Sequence, residues 1–217
     1  EKTAAETHGS ISGWDTSRVE DLSELFKDAA AFNSELAWDT SKVTNMEQTF
    51  YDAASFNQQL DWDTSSVTTM YSTFFFAYAS IFNRPLAWDT SAVTTMWGTF
   101  SSANAFNKPL AWDTSKVKKM YQTFQQANAF NSELYWDTSQ VTSMQSTFSN
   151  AETFNSQLNW DTSRVTNIRG AFYEAGAFNQ ALDWDTSSVT NMQSTFESAT
   201  AFNSELAWDM SSVTSMI

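Results

Sequence analysis

The chain of 217 residues has no cysteine, two prolines, five glycines and one histidine. Without cysteine there is no disulfide staple and no thiolate metal site in any compartment. Glycine this sparse leaves no phosphate-cradling loop and no glycine-rich calcium roll. A lone His8 supplies neither a His-based metal set nor a nucleophile–base pair. No apolar run approaches the roughly 18 residues that would mark a membrane-spanning helix. Positive charge is scarce too. Eleven Lys and Arg face 25 Asp and Glu, and a net charge of −14 opposes nucleic acid as a general partner. Residues 1–13 lack the charged-then-apolar profile of a secretion signal and read as an N-terminal lead or cap.

What the chain has instead is repetition. Trp-Asp recurs nine times, at Trp14, Trp38, Trp62, Trp88, Trp112, Trp136, Trp160, Trp184 and Trp208, with every step 24 residues except a step of 26 from Trp62 to Trp88. A fixed period between about 20 and 50 residues marks a tandem array. Residues 14–217 therefore read as one domain of eight to nine repeats, with a two-residue insertion near 71–82. One unit runs Trp38-Asp39-Thr40-Ser41-Lys42-Val43-Thr44-Asn45-Met46, then Thr49-Phe50, Ala53, Phe56-Asn57 and Leu60. Around Val43, alternation suits a short strand; from Met46, the apolar positions 46, 50 and 53 keep one helical face. The expected fold class is an α/β repeat, a solenoid with one short parallel strand and one short helix per coil.

The pattern Phe-Asn-x-x-Leu-x-x-Trp-Asp-Thr-Ser-x-Val-Thr-x-Met-x-x-x-Phe-x-x-Ala is very similar to the repeat of mycoplasma-type, BspA-like leucine-rich-repeat surface proteins, over residues 14–217. The resemblance implies a right-handed, leucine-rich-repeat-like solenoid on surface or secreted proteins, with adhesion or recognition roles and no catalytic residues.

Several columns invite chemistry. The Asp after each Trp could form a calcium ladder, but one carboxylate per coil is thin for a cation wanting six or more oxygens. Asp-Thr-Ser is ordinary turn chemistry. The Trp column suits a packed ladder in which each indole N–H seeks a partner. The Asn column from Asn33 to Asn203 suits a buried amide ladder. Two Thr columns, from Thr16 and from Thr44, could present a regular face to ice or mineral, although Arg18, Lys42 and Arg164 roughen the ground between them.

Where the repeats depart from their own rule, a site becomes readable. The position after Met is polar at Glu47 and Gln145, but Tyr71, Trp97 and Tyr121 fill it in three successive coils. The insertion adds Phe75, Phe76 and Tyr78, and Pro85 and Pro109 fall in the same region. Between Arg84 and Lys119 five cations face only Asp89 and Asp113, a local balance of +3. The candidate ligand patch is Tyr71, Phe75, Phe76, Trp97, Lys116, Lys118, Lys119 and Tyr121. Aromatics give contact area and lysines attract an anionic partner; alternatively, the aromatics only fill the gap the insertion makes.

The expected function is a non-catalytic surface or secreted module, extracellular or at the cell surface, that recognises a protein or glycan on another cell or matrix. It is expected to need no cofactor and no metal. The alternatives are an ice or mineral binder and a structural filament subunit that associates end to end.

Overall fold

The structure is a computed structural model and describes residues 9–76 and 80–216. Successive repeats lie one upon the next as a stack of coils. Parallel bridges join equivalent positions, running Asp21, Asn45, Thr69, Thr95, Lys119, Ser143, Asn167, Asn191 and Ser215. The expected α/β, leucine-rich-repeat-like solenoid does not form. Among the described residues there is no α-helix and no extended strand; the one helical element is a 3-10 turn, Ile11–Gly13, and the bridges stay isolated.

Local hydrogen bonding explains both corrections. The residues read as a strand are mostly a turn. Val43 N–H donates to Thr40 O at 2.9 Å, while Asp39 Oδ1 accepts from the Ser41 amide at 3.1 Å and hydroxyl at 2.7 Å. That Asx arrangement recurs along the stack and leaves little chain free to pair.

The residues read as a helix form a ribbon of overlapping turns. Odd-numbered amides close turns within the coil: Thr49 to Met46 O, Tyr51 to Gln48 O and Ala53 to Phe50 O, at 3.1–3.3 Å. Even-numbered amides leave the coil: Met46, Gln48, Phe50 and Asp52 donate to Thr69, Tyr71, Thr73 and Phe75 O at 2.8–3.3 Å. Half the donors that an α-helix would turn back four residues are thus satisfied by the next coil. The geometry uses left-handed backbone at two places in most coils. Gln48 (φ 52) and Asp52 (φ 53) show it, and Ser146 (φ 54), Asn150 (φ 58) and Gly170 (φ 58) are among their counterparts. Non-glycine residues tolerate this region poorly, so coil-to-coil bonding holds them there.

The apolar columns point inward, as periodicity requires. Val43, Met46, Phe50, Ala53, Phe56, Leu60 and Trp62 are all buried, and their equivalents continue the core through most of the stack. Phe50 and Phe56 stack at 4.2 Å within a coil. Each column also stacks along the axis: Phe50–Phe74 at 5.3 Å, Phe56–Phe82 at 6.0 Å and Trp62–Trp88 at 6.3 Å, with interplanar angles of 4°, 12° and 1°. These columns are unbroken across the insertion, since Phe82–Phe106 is again 6.0 Å.

Polar groups are tied between coils with equal regularity. From Trp38 onward each indole N–H of the Trp-Asp column reaches back toward the coil before it, as from Trp136 to Leu110 O at 3.1 Å. The Thr16 column is buried, not displayed: Thr40, Thr64 and Thr114 are at most 3% exposed, and their hydroxyls donate to Asp63, Asp89 and Asp137 O at 2.8–2.9 Å. The Thr44 column is exposed, and Thr68, Thr94 and Thr142 donate back to the preceding coil at 3.2–3.3 Å. A third, buried Thr column escaped the sequence reading; Thr49 Oγ1 donates to Leu22 O at 3.1 Å and Met46 O at 2.9 Å. The Asn ladder is made, with Asn33 Oδ1 accepting Asn57 N–H at 2.9 Å. It lies at the surface and is not buried.

Candidate functional site

The outward residues of the turn ribbon build the candidate site. Residue 23 of the first coil and its equivalents lie one position before the left-handed residue, so their side chains follow one another along the stack. In coils three to five these are Tyr71, Trp97 and Tyr121. Tyr71 and Trp97 meet edge to face at 5.1 Å and 78°, and Trp97 and Tyr121 at 4.8 Å and 74°. Trp97 is 38% exposed, and the two tyrosines are half-buried. The Trp97 indole N–H donates to Gln122 Oε1 at 3.4 Å.

A second aromatic column lies four residues further along the ribbon. Phe75 stacks on Tyr51 at 4.7 Å and 8°, and the Lys27 ammonium lies 5.4 Å from the Tyr51 ring. Gly98 joins the columns. At φ +61 it carries no side chain, and a Cβ there would lie 2.9 Å from Ser72 Oγ and 3.9 Å from Phe75 Cδ2. The Phe75 ring therefore approaches the backbone next to Trp97.

Phe76 does not belong to this surface. It is fully buried, and its N–H donates to Ser101 O at 3.0 Å, as Asp52 N–H does to Phe75 O at 2.9 Å. It takes the place that Asp52 holds one coil earlier and turns an outward polar position into core. The inserted coil thus divides its extra aromatics, with Phe76 filling the interior and Phe75 lying on the surface. His8 and Tyr78 lie outside the described residues.

Lys116, Lys118 and Lys119 are exposed. Lys119 sits in the bridge column, two residues before Tyr121. None of the three forms an ion pair with a described residue; the pair present is Lys27–Glu24 at 3.2 Å. From residue 64 to 132 the carboxylates are Asp89 and Asp113. Each accepts hydrogen bonds from the amide two residues on, Ser91 and Ser115, at 2.9 Å. The Ser91 amide, with its hydroxyl second, holds Asp89 below the ordinary carboxylate range, and the Ser115 hydroxyl, with its amide second, does the same for Asp113, so both stay charged at neutral pH.

The family model described as Mycoplasma protein of unknown function, DUF285, matches residues 2–87, 61–159 and 157–217. The chain belongs to this family. The three matches overlap and follow the repeats along the DUF285 chain, each spanning several of the 24-residue units. No curated protein and no solved structure matches the chain.

Two other surfaces of the DUF285 stack carry large apolar groups. Tyr135 is 84% exposed, its hydroxyl donating to Glu133, above a groove of about 540 Å³ lined by Pro109, Ala111 and Trp112. A cavity of about 600 Å³ lies against Met192, Phe196, Trp208, Met210 and Met216. Earlier in the stack, the space equivalent to the latter is taken by the following coil. Neither surface lies in a stretch where aromatic and cationic residues concentrate in sequence as they do in coils three to five.

Proposed function

We propose that this chain is a non-catalytic recognition module, carried on a surface or secreted protein, which binds a protein or glycan along coils three to five. The observation that carries the proposal is the Tyr71–Trp97–Tyr121 surface column, with Trp97 exposed and both tyrosines half-buried, and Lys118 and Lys119 just before Tyr121 in a stretch nearly free of carboxylates. The same column in other coils holds Glu47, Gln145, Arg169 and Gln193. The stack therefore folds without aromatics there, and core packing does not account for them. Large rigid rings displayed beside unpaired cations give contact area and long-range attraction. The resemblance of the repeat to BspA-like surface proteins supports a location outside the cell.

The test is the double variant Trp97→Gln with Tyr121→Gln, assayed against intact cells and extracellular matrix. Binding should weaken by about 2 kcal/mol or more, as for interface hot spots, with the unfolding midpoint unchanged. Unaltered binding removes these coils as the site. A large fall in the midpoint shows instead that the rings serve only to cover the inserted coil.

A further inference from the structure

Resting on the recognition reading above, we infer that the ligand of the aromatic column is an anionic polysaccharide, with carboxylate or sulfate groups on its sugar rings.

Main-chain commitments argue against an extended peptide. Peptides that add to a protein edge gain affinity from unpaired backbone groups. Here the carbonyls of Tyr71, Trp97 and Tyr121 accept from Gln48, Ser72 and Gly98 amides at 2.7–2.8 Å. The Gln122 amide in turn donates to Gln145 O at 3.0 Å. With these carbonyls committed, recognition at this face falls chiefly to side chains. Those on offer are aromatic rings and the side-chain amides of Gln122 and Gln145, whose oxygens already accept from Trp97 and Asn167 and keep a second lone pair. Aromatic faces stack on the C–H faces of pyranose rings, and amides both donate to and accept from sugar hydroxyls.

The column also runs from coil to coil. Ring succeeds ring at 5.1 and 4.8 Å, continuing in the direction of the stack, which suits a chain of like units more than a compact molecule. Charge selects within that class. Lys118 and Lys119 are exposed and unpaired with described residues, and Lys119, in the bridge column, stands two residues before Tyr121. The flanking coils place Thr94 and Thr142 at the position of Lys118, and Thr95 and Ser143 at that of Lys119. Two cations replacing neutral residues close in sequence to the surface ring column, in a chain of net charge −14, complement an anion on the ligand.

The experiment measures binding of the intact chain to four probes at low and high salt: polygalacturonate, dextran sulfate, neutral dextran and poly-glutamate. Two variants accompany it. Lys118→Thr with Lys119→Ser installs residues of neighbouring coils, and Trp97→Gln with Tyr121→Gln removes the rings. The expected result is binding to polygalacturonate or dextran sulfate, with salt weakening it, and at least thirty-fold weaker binding (about a hot-spot's worth) in each variant. Which of those two polymers binds identifies carboxylate or sulfate as the group recognised. Equal binding of dextran, equal binding of poly-glutamate, or retention of affinity without the rings each overturns the inference. Loss of cell-surface binding in the ring variant, with no polysaccharide bound by the wild type, overturns it while leaving the recognition reading intact. No effect of the ring variant on any ligand removes both.

Discussion

Replacing Ser146 by glycine tests the turn ribbon directly, because ribbon and helix demand opposite signs. Ser146 has φ 54. Its amide donates to Arg169 O at 2.9 Å and its carbonyl accepts from the Ser149 amide at 3.2 Å, both main-chain bonds that glycine keeps. A left-handed L-residue costs about 1–2 kcal/mol. Glycine escapes that cost but loses about 0.5–1 kcal/mol more backbone entropy on folding. The net expectation for Ser146→Gly is a gain of about 0.5–1 kcal/mol. Gly98 and Gly170 already occupy the equivalent position, at φ 61 and 58. In a helix the same substitution would cost about 0.5 kcal/mol, since glycine is the poorer helix former. Ser146→Val supplies the converse, because a β-branched residue is the least tolerant of this conformation; it should lose about 2 kcal/mol or more. Urea unfolding followed by tryptophan fluorescence, with m-values compared to confirm an unchanged transition, reads both variants. Destabilisation by Ser146→Gly, or indifference to Ser146→Val, would refute the left-handed assignment and with it the ribbon.

Four further outcomes follow from the packing and the hydrogen bonds. Gly98→Ala combines positive φ with a 2.9 Å approach to Ser72 Oγ and should lower stability by about 1–2 kcal/mol, measured by the same unfolding assay. Phe130→Ala empties a fully buried site in the central stack and should cost about 3–5 kcal/mol, with amide exchange rising most in adjacent coils because each coil contacts only its neighbours. Trp136→Phe leaves Leu110 O without its 3.1 Å indole donor, for a loss of about 1–3 kcal/mol. Ser hydroxyl bonds, with amide bonds second, hold Asp39, Asp63 and Asp161 below the ordinary carboxylate range. A depressed folded pKa contributes stability above the unfolded value that is lost as pH falls through the folded one. Midpoints should therefore fall as acid is added below about pH 4, the unfolded carboxylate range, and a Ser41→Ala, Ser65→Ala, Ser163→Ala variant should show a shallower fall.

Much of the candidate surface was legible before any coordinates. Tyr71, Trp97 and Tyr121 stand out against Glu47 and Gln145, and a fixed period places them one above another. Phe75 and Phe76 were not separable. They are adjacent, identical and inserted, and only the burial of Phe76 tells which ring became core. The left-handed positions left a trace that was readable in principle. Glu24, Gln48, Ser72, Gly98, Gln122, Ser146, Gly170 and Ser194 are never β-branched, which is what a left-handed site demands.

The sequence by itself determined the period, the inward columns of Val, Met, Phe, Leu and Trp, and the turn at each Asp-Thr-Ser, because these depend on spacing and on bonds within a few residues. It did not determine backbone conformation between Met46 and Ala53. Apolar positions at i, i+4 and i+7 present one face whether the chain is a helix or a ribbon of turns. The choice lies with the even-numbered amides, which either turn back four residues or cross to carbonyls 23 to 25 residues ahead. Those acceptors exist only once the neighbouring coil is in place. Stacking therefore selected left-handed turns over a helix, isolated bridges over a strand, and a buried Thr40 column over an exposed one.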